Sequence, residues 1–322
     1  MTRAQDAMRR LEETFGAWAR ARPDIRAALV VGSRARDDHP ADDWADLDII
    51  IVATDPRRYL SASDWLEDLG PVWVATRGRT NVADPEWLVV FDGAVDVDFV
   101  FIPYRQTKWG LRALSLLSRR PGLMRLLPKG LASQAEERIA LSSDAFRRGI
   151  RVLVDKDGLA AGMRRLFSRP PSYRPPSRRQ FADAVNGFWV MVERTAKKLL
   201  RGEVYVVRRW SDSQLREMLL QMVEWHARAT RGPDLDTWHD GRFLDEWADP
   251  RALQTFADVF ARYDRQDSAR ALLAMMDLFR WLAVETAERL GYPYPADTDA
   301  AVTEWVRASL ADIAGRPPDT QA

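Results

Sequence analysis

Leu29-Val30-Val31-Gly32-Ser33-Arg34-Ala35-Arg36, followed one loop later by Asp46-Leu47-Asp48-Ile49-Ile50-Ile51-Val52, is the stretch from which the fold reads outward. Its first part is an apolar run stopped by Gly-Ser, the pattern of a buried strand ending in a tight turn. The second part is a β-rich run opened by two aspartates one residue apart. Side chains alternate along a strand, so Asp46 and Asp48 share a face and Leu47 takes the other. Neighbouring carboxylates repel, and the pair is costly unless cations neutralise it. Hard oxygen donors of this kind suit Mg²⁺, which takes a few carboxylates together with substrate phosphates. A glycine turn beside them lets backbone N–H groups approach a phosphate with no side chain in the way. The stretch predicts a site for metal and triphosphate.

A third carboxylate is available further on. Trp87-Leu88-Val89-Val90-Phe91 and Val95-Asp96-Val97-Asp98-Phe99-Val100-Phe101 are β-rich runs separated by Asp92-Gly93-Ala94, a hairpin signal. Asp96 and Asp98 share a face of the second run. A carboxylate in so apolar a strand is expensive against a dry core, which places this face on a cleft beside Asp46 and Asp48.

Gly-Ser-Arg, Asp-Leu-Asp and a later strand-borne Asp resemble the nucleotidyltransferase superfamily that includes DNA polymerase beta. The resemblance becomes more specific along the chain. Gly32-Ser33-Arg34-Ala35, Asp46-Leu47-Asp48-Ile49, Asp98-Phe99-Val100-Phe101-Ile102-Pro103 and Val154-Asp155-Lys156-Asp157-Gly158 stand in the order seen in aminoglycoside 6-adenylyltransferases. So do Asn186-Gly187-Phe188-Trp189, Ala196-Lys197-Lys198-Leu199-Leu200-Arg201-Gly202-Glu203 and Leu290-Gly291-Tyr292-Pro293-Tyr294-Pro295. The similarity runs from about Arg26 to the last helix. It implies an α+β protein, with an N-terminal nucleotidyltransferase mixed-sheet domain (residues 1–167) followed by an all-helical acceptor-binding domain (residues 180–322).

Composition bounds the alternatives. A chain of 322 residues with 46% hydrophobic content is long enough for two cores. Its 48 basic and 47 acidic residues nearly cancel, which argues against a dedicated nucleic-acid binder. There is no cysteine, so disulfides and thiolate metal sites are excluded. His39, His226 and His239 are scattered without zinc-ligand spacing. No run reaches membrane-spanning length and the N-terminus is charged, so the expectation is a cytoplasmic protein without a membrane partner.

Taken in order, Met8, Leu11, Phe15 and Trp18 predict a first helix ending before Pro23. The acidic loop Asp37–Asp43 reads as a solvated connection. Ser63–Leu69 predicts a helix closed by Gly70, and Val72–Thr76 a strand. Strands mixed with flanking helices indicate a mixed sheet rather than a doubly wound one. Residues 105–150 read as helices leading to a strand at Val152–Val154. Asp155-Lys156-Asp157-Gly158 is a turn, with Lys156 as a second-choice phosphate contact. The Pro-rich segment 168–179 marks the domain boundary. Beyond it, four helical faces are expected: Phe181 to Leu199; Leu215 to Trp225; Leu253, Phe256, Phe260 and Tyr263; and Leu272 to Thr286. Most of the 13 tryptophans fall at helical spacing and read as core.

The resemblance implies transfer of AMP from ATP to a hydroxyl of an aminoglycoside such as streptomycin, with release of pyrophosphate. Asp46, Asp48 and Asp98 would hold two Mg²⁺ ions, and Gly32 and Ser33 the β and γ phosphates. Arg34 is either a phosphate contact or a structural partner, and the general base is Asp98 or Asp96. Lys197 would reach the triphosphate from the helical domain across a cleft that takes a polycationic acceptor. Asp183, Glu193, Glu203 and Glu224 are the acidic candidates for that acceptor. The family usually carries Asn-Glu-Phe-Trp-Trp where this chain has Asn186-Gly187-Phe188-Trp189-Val190, so one acid and one aromatic are missing. The competing functions are a superfamily member with a different acceptor and a non-catalytic nucleotide-binding protein.

Overall fold

The computed structural model describes residues 3–119, 146–167 and 173–314. Part of the helices expected over 105–150 and the first residues of the Pro-rich segment lie outside them. The chain divides into two compact units, Met1–Pro171 and Ser172–Ala322.

The first unit is built on a six-stranded mixed sheet. Helix α1 (Arg3–Ala21) leads into β1 (Ile25–Val31), then β2 (Leu47–Ala53) and a one-turn helix α2 (Arg57–Ser61). There follow β3 (Val72–Arg79), β4 (Pro85–Phe91), β5 (Val95–Pro103), α3 (Tyr104–Arg119), β6 (Arg151–Asp155) and α4 (Leu159–Phe167). The sheet order is β3-β4-β5-β2-β1-β6, with β2 and β5 parallel and every other pair antiparallel. The hairpin between β4 and β5 turns at Asp92-Gly93-Ala94, where Gly93 and Ala94 take φ of 84° and 57°.

The alternation of β1, β2 and β5 sorts their residues onto two cores. Ala28, Val30, Leu47, Ile49, Ile51, Val97, Phe99 and Phe101 face one side, where they meet the apolar stripe of α1. Met8, Leu11, Phe15 and Trp18 are all buried there, and the rings of Phe15 and Phe99 lie 5.4 Å apart. The opposite face is covered only in part. Ala27, Leu29 and Val52 pack there against Leu159, Ala160 and Met163 of α4. The strand ends that carry Asp48 and Asp98 are on this second face.

One detail of this unit differs from expectation. Ser63–Leu69 is not a helix: it holds a single 3₁₀ turn, Asp64–Leu66. The helix lies earlier, at Arg57–Ser61, where Tyr59 is buried, donates to Asp24 at 2.7 Å and accepts the indole N–H groups of Trp65 and Trp87 on its carbonyl. The Trp65 bond ties the 63–69 segment to Tyr59. Lys156 lies at the far end of β1 from the Gly-Ser turn, where its Nζ donates to the Arg22 carbonyl and Asp157 pairs with Arg26. Seven residues of strand, roughly 20 Å, lie between that turn and Gly32. Asp155 accepts from the N–H groups of Leu159 and Ala160, so the motif caps α4 instead of meeting a phosphate.

The second unit is helical. Its first long helix, α5 (Arg178–Leu200), opens on a capping box in which Ser177 accepts from the Gln180 N–H and the Gln180 side chain accepts from the Ser177 N–H. Then come α6 (Val204–Trp210), α7 (Arg216–Arg231), α8 (Pro250–Phe256), α9 (Arg265–Leu290) and α10 (Ala296–Ala314). Phe181, Val185, Phe188, Val192 and Leu199 of α5 form a core with Leu219, Met222, Leu272, Phe279 and Leu282. The rings of Phe188 and Phe279 stack at 3.6 Å. Helix α9 stops at Gly291, whose φ of 67° is the left-handed cap. The third predicted face breaks early. Phe260 and Tyr263 lie beyond α8 and are exposed, because the chain turns extended at Phe260 and Asp264 caps α9. Among the described residues no helix is long and apolar enough to cross a membrane.

Candidate active site

The site begins with register. Asp48 pairs with Val31 of β1 on one side and with Asp98 of β5 on the other. Asp46 stands two residues earlier on the same face. One carboxylate oxygen from each of Asp46, Asp48 and Asp98 lies within 4.8 Å of the others. The parallel pairing of β2 and β5 accomplishes this, since it sets two like-facing aspartates of distant sequence side by side.

The charge is concentrated enough to disturb ionisation. Burial first, then the negative charges of Asp48, Asp46, Glu86 and Asp96, push the Asp98 carboxyl up to about 7. Burial and then Asp46 also raise Asp96, which is more exposed. Such a cluster is relieved by a cation, and three hard carboxylate oxygens within reach of one another fit Mg²⁺.

The turn above the triad is built for close approach. Gly32 has a φ of 69°, and a Cβ on it would fall 2.1 Å from Asp48 Oδ2. Only glycine lets β1 end directly over that carboxylate. The Ser33 hydroxyl is buried without a hydrogen-bond partner among the described residues. An unpaired buried hydroxyl is costly, and a phosphate oxygen is the kind of acceptor that would satisfy it.

Arg34 is turned to a different use. Its guanidinium donates to the carbonyls of Ala45 at 2.6 Å and Asp46 at 3.0 Å, clasping the loop that enters β2. The structural alternative for this residue is the one the geometry supports, and it fixes the backbone of Asp46. Lys197 lies on α5 in the second unit, paired with Glu193 one turn earlier and 5.8 Å from the Trp305 ring. Of the four acidic acceptor candidates, Asp183 pairs with Arg179, Glu193 with Lys197, and Glu203 with Lys198 and Arg201. Glu224 is half-buried on α7, and burial pushes its carboxyl up to about 7.

Sequence reasoning passed over Glu86. It stands on β4 two residues before Leu88, which pairs with Asp98, so it belongs to the face of the triad. It is 9% exposed, and burial raises its carboxyl above the ordinary glutamate value. The signal available was the period of two in Glu86, Leu88 and Val90.

The chain is similar to known proteins over most of its length. The family model for streptomycin adenylyltransferase matches residues 7–309. An aminoglycoside 6-adenylyltransferase of Bacillus subtilis is 23% identical over 90% of this chain and 93% of its own length. One from Staphylococcus aureus is 21% identical over 85% and 88%. A solved aminoglycoside 6-adenyltransferase from Bacillus subtilis superposes with a TM-score of 0.42 at 18% identity, covering 96% of this chain and 99% of that one. With the match running over nearly the whole chain, the protein belongs to the streptomycin adenylyltransferase family of nucleotidyltransferases.

Proposed function

We propose that this enzyme transfers AMP from ATP to a hydroxyl of an aminoglycoside, with streptomycin as the leading acceptor. The observation that carries the reading is the carboxylate triad lying directly under the Gly32-Ser33 turn. Asp46, Asp48 and Asp98 would hold two Mg²⁺ ions. Bound metal in such a site lowers the pKa of the attacking hydroxyl and stabilises charge building on phosphorus. The backbone N–H groups around Gly32 and the Ser33 hydroxyl hold the β and γ phosphates. Arg34 keeps the Asp46 backbone in place through the loop carbonyls. The acceptor oxygen forms a bond to the α phosphorus while the bond to the bridging oxygen breaks and pyrophosphate leaves. The hydroxyl proton passes to Asp98 or Asp96. Lys197 is assigned to the triphosphate on the strength of its motif, and Lys197→Gln should raise the KM for ATP.

The test is a panel of aminoglycosides assayed for pyrophosphate release with ATP and Mg²⁺. Release that depends on streptomycin and on the metal supports the reading. Asp48→Asn should lower turnover by at least ~10²-fold, the scale for losing one strong electrostatic contributor. Near-normal turnover in that variant would exclude the metal assignment, and release with no aminoglycoside in the panel would exclude the acceptor class.

A further inference from the structure

Glu86 is a buried carboxylate that nothing in the chemistry above uses. It is 9% exposed and has no hydrogen bond or ion pair to its carboxylate among the described residues. Ionised groups this far from water are normally paired. Here the neighbouring charges have the wrong sign, since Asp98 feels Glu86 as a further negative charge. The side chain stands on the triad face of β4, opposite Val100 and diagonal to Asp98. That diagonal spans roughly 7–8 Å in an antiparallel pair, so Glu86 flanks the metal site without joining it.

The strand beside it leaves room for the carboxylate. Gly78 of β3 pairs with Glu86, and a Cβ there would sit 2.8 Å from Glu86 Oε1 and 3.1 Å from its Cγ. A glycine in a strand weakens it and marks a place where something must come close. In this sheet it is the Glu86 side chain that comes close.

We propose that Glu86 is an anchor for a cationic group of the acceptor, an ammonium or a guanidinium that reaches the triad-bearing face of the sheet over β3 and β4. The inference rests on the aminoglycoside reading above, because it needs an acceptor that carries such groups. It gives the first unit a part in choosing the acceptor, while three of the four acidic residues picked from the helical unit are already neutralised by internal cations. A cation at Glu86 pairs a buried charge that is otherwise unmatched, and it does so on the sheet face that carries the carboxylates where the acceptor hydroxyl must react.

The experiment measures binding of streptomycin, which carries guanidinium groups, and of kanamycin, which carries only ammonium groups. Both are titrated calorimetrically into the unaltered protein, Glu86→Gln and Gly78→Ala, alongside KM values for acceptor and for ATP. Glu86→Gln is expected to weaken binding of the accepted aminoglycoside at least about tenfold, the scale for a charge-assisted hydrogen bond. Its KM for ATP and its melting temperature should not fall. Gly78→Ala keeps the charge but displaces the carboxylate, and a loss of several-fold is expected; this variant decides the matter if Glu86→Gln does not fold. Equal affinity in all three proteins overturns the anchor. If the unaltered protein binds an aminoglycoside without transferring AMP, the catalytic reading fails while the comparison at Glu86 still decides the anchor. If it binds none, the acceptor reading fails and the anchor with it.

Discussion

At the scale of single residues, Asp96 and Asp98 show how strand position separates two chemically identical side chains. Both face the site, but Asp98 is in register with Asp48 and half-buried, whereas Asp96 lies one step nearer the hairpin and is exposed. Asp98→Asn is therefore expected to lower turnover at saturating Mg²⁺ by at least ~10²-fold. Asp96→Asn should stay within a few-fold of the unaltered enzyme, and the reverse ranking would place the essential carboxylate one step along β5. Ser33 offers a test of opposite signs. Its buried hydroxyl has no hydrogen-bond partner among the described residues, so Ser33→Ala should leave the melting temperature unchanged or raise it. The same variant should raise the KM for ATP if the hydroxyl meets a phosphate. A lower melting temperature with an unchanged KM would make it an ordinary structural serine. Arg34 teaches the complementary lesson: its charge is legible in the sequence, but the carbonyls it clasps belong to a loop eight to twelve residues away.

At the scale of elements, the parts read correctly were those whose period is imposed by burial. Helix α1 and the two long helices α5 and α9 carry apolar residues at helical spacing because each lays one stripe on a core. Strands β1, β2 and β5 are almost continuously apolar because both faces are at least partly covered. Helix α2 escaped notice because five residues are too short for a period, and Phe260 and Tyr263 continued a spacing that the chain itself does not follow. Glu86 was missed because its burial comes from packing across the sheet, which no local pattern records. Helix α5 also carries the departure at Gly187, where a Cβ would meet only Met218 Cε at 3.9 Å. Gly187→Ala should thus stabilise the protein by about 0.5–1 kcal/mol in denaturant unfolding, and a loss of stability would show that the glycine conformation is required. The junction of α9 and α10 is held by a buried polar network. Asp299 accepts from Arg280 Nε at 2.7 Å, Arg280 Nη2 at 2.8 Å, Tyr294 at 2.9 Å and Thr303 at 2.9 Å. Burial alone would raise this carboxyl, but the bonds from Arg280, Tyr294 and Thr303 outweigh it and hold it below the ordinary aspartate value. A depressed carboxyl contributes stability above its unfolded value, 3.8, and loses that contribution as pH falls through the folded one. Asp299→Asn should cost about 2–3 kcal/mol at pH 7, since it leaves Arg280 half-paired with Asp277. The gap between the two proteins should close below pH 3.8, and a gap independent of pH would mean the loss is one of packing.

At the scale of the whole molecule, the chain assigns its negative charge unevenly for a protein whose formal charge is only +1. Each unit has its own hydrophobic core, and it is the sheet unit that gathers Asp46, Asp48, Asp96 and Asp98 onto one face. That gathering opposes folding at neutral pH, because like charges are brought together and one of them is pushed up to about 7. A ligand that neutralises the cluster binds the folded state alone, and linkage then converts its affinity into stability. At a concentration one hundred times Kd the gain is about 2.7 kcal/mol. For a unit of this size, that corresponds to a rise in melting temperature of about 5–10 °C. Mg²⁺ together with a non-hydrolysable ATP analogue should therefore raise the melting temperature of the unaltered protein by that order. The analogue with EDTA should do much less, because the phosphates would then meet the carboxylates without a cation between them. Asp48→Asn should abolish most of the shift, and it should itself melt at or above the unaltered protein when both are metal-free, since one repulsive charge is gone. A shift of the same size in Asp48→Asn, or one that survives EDTA, would place the nucleotide away from the triad.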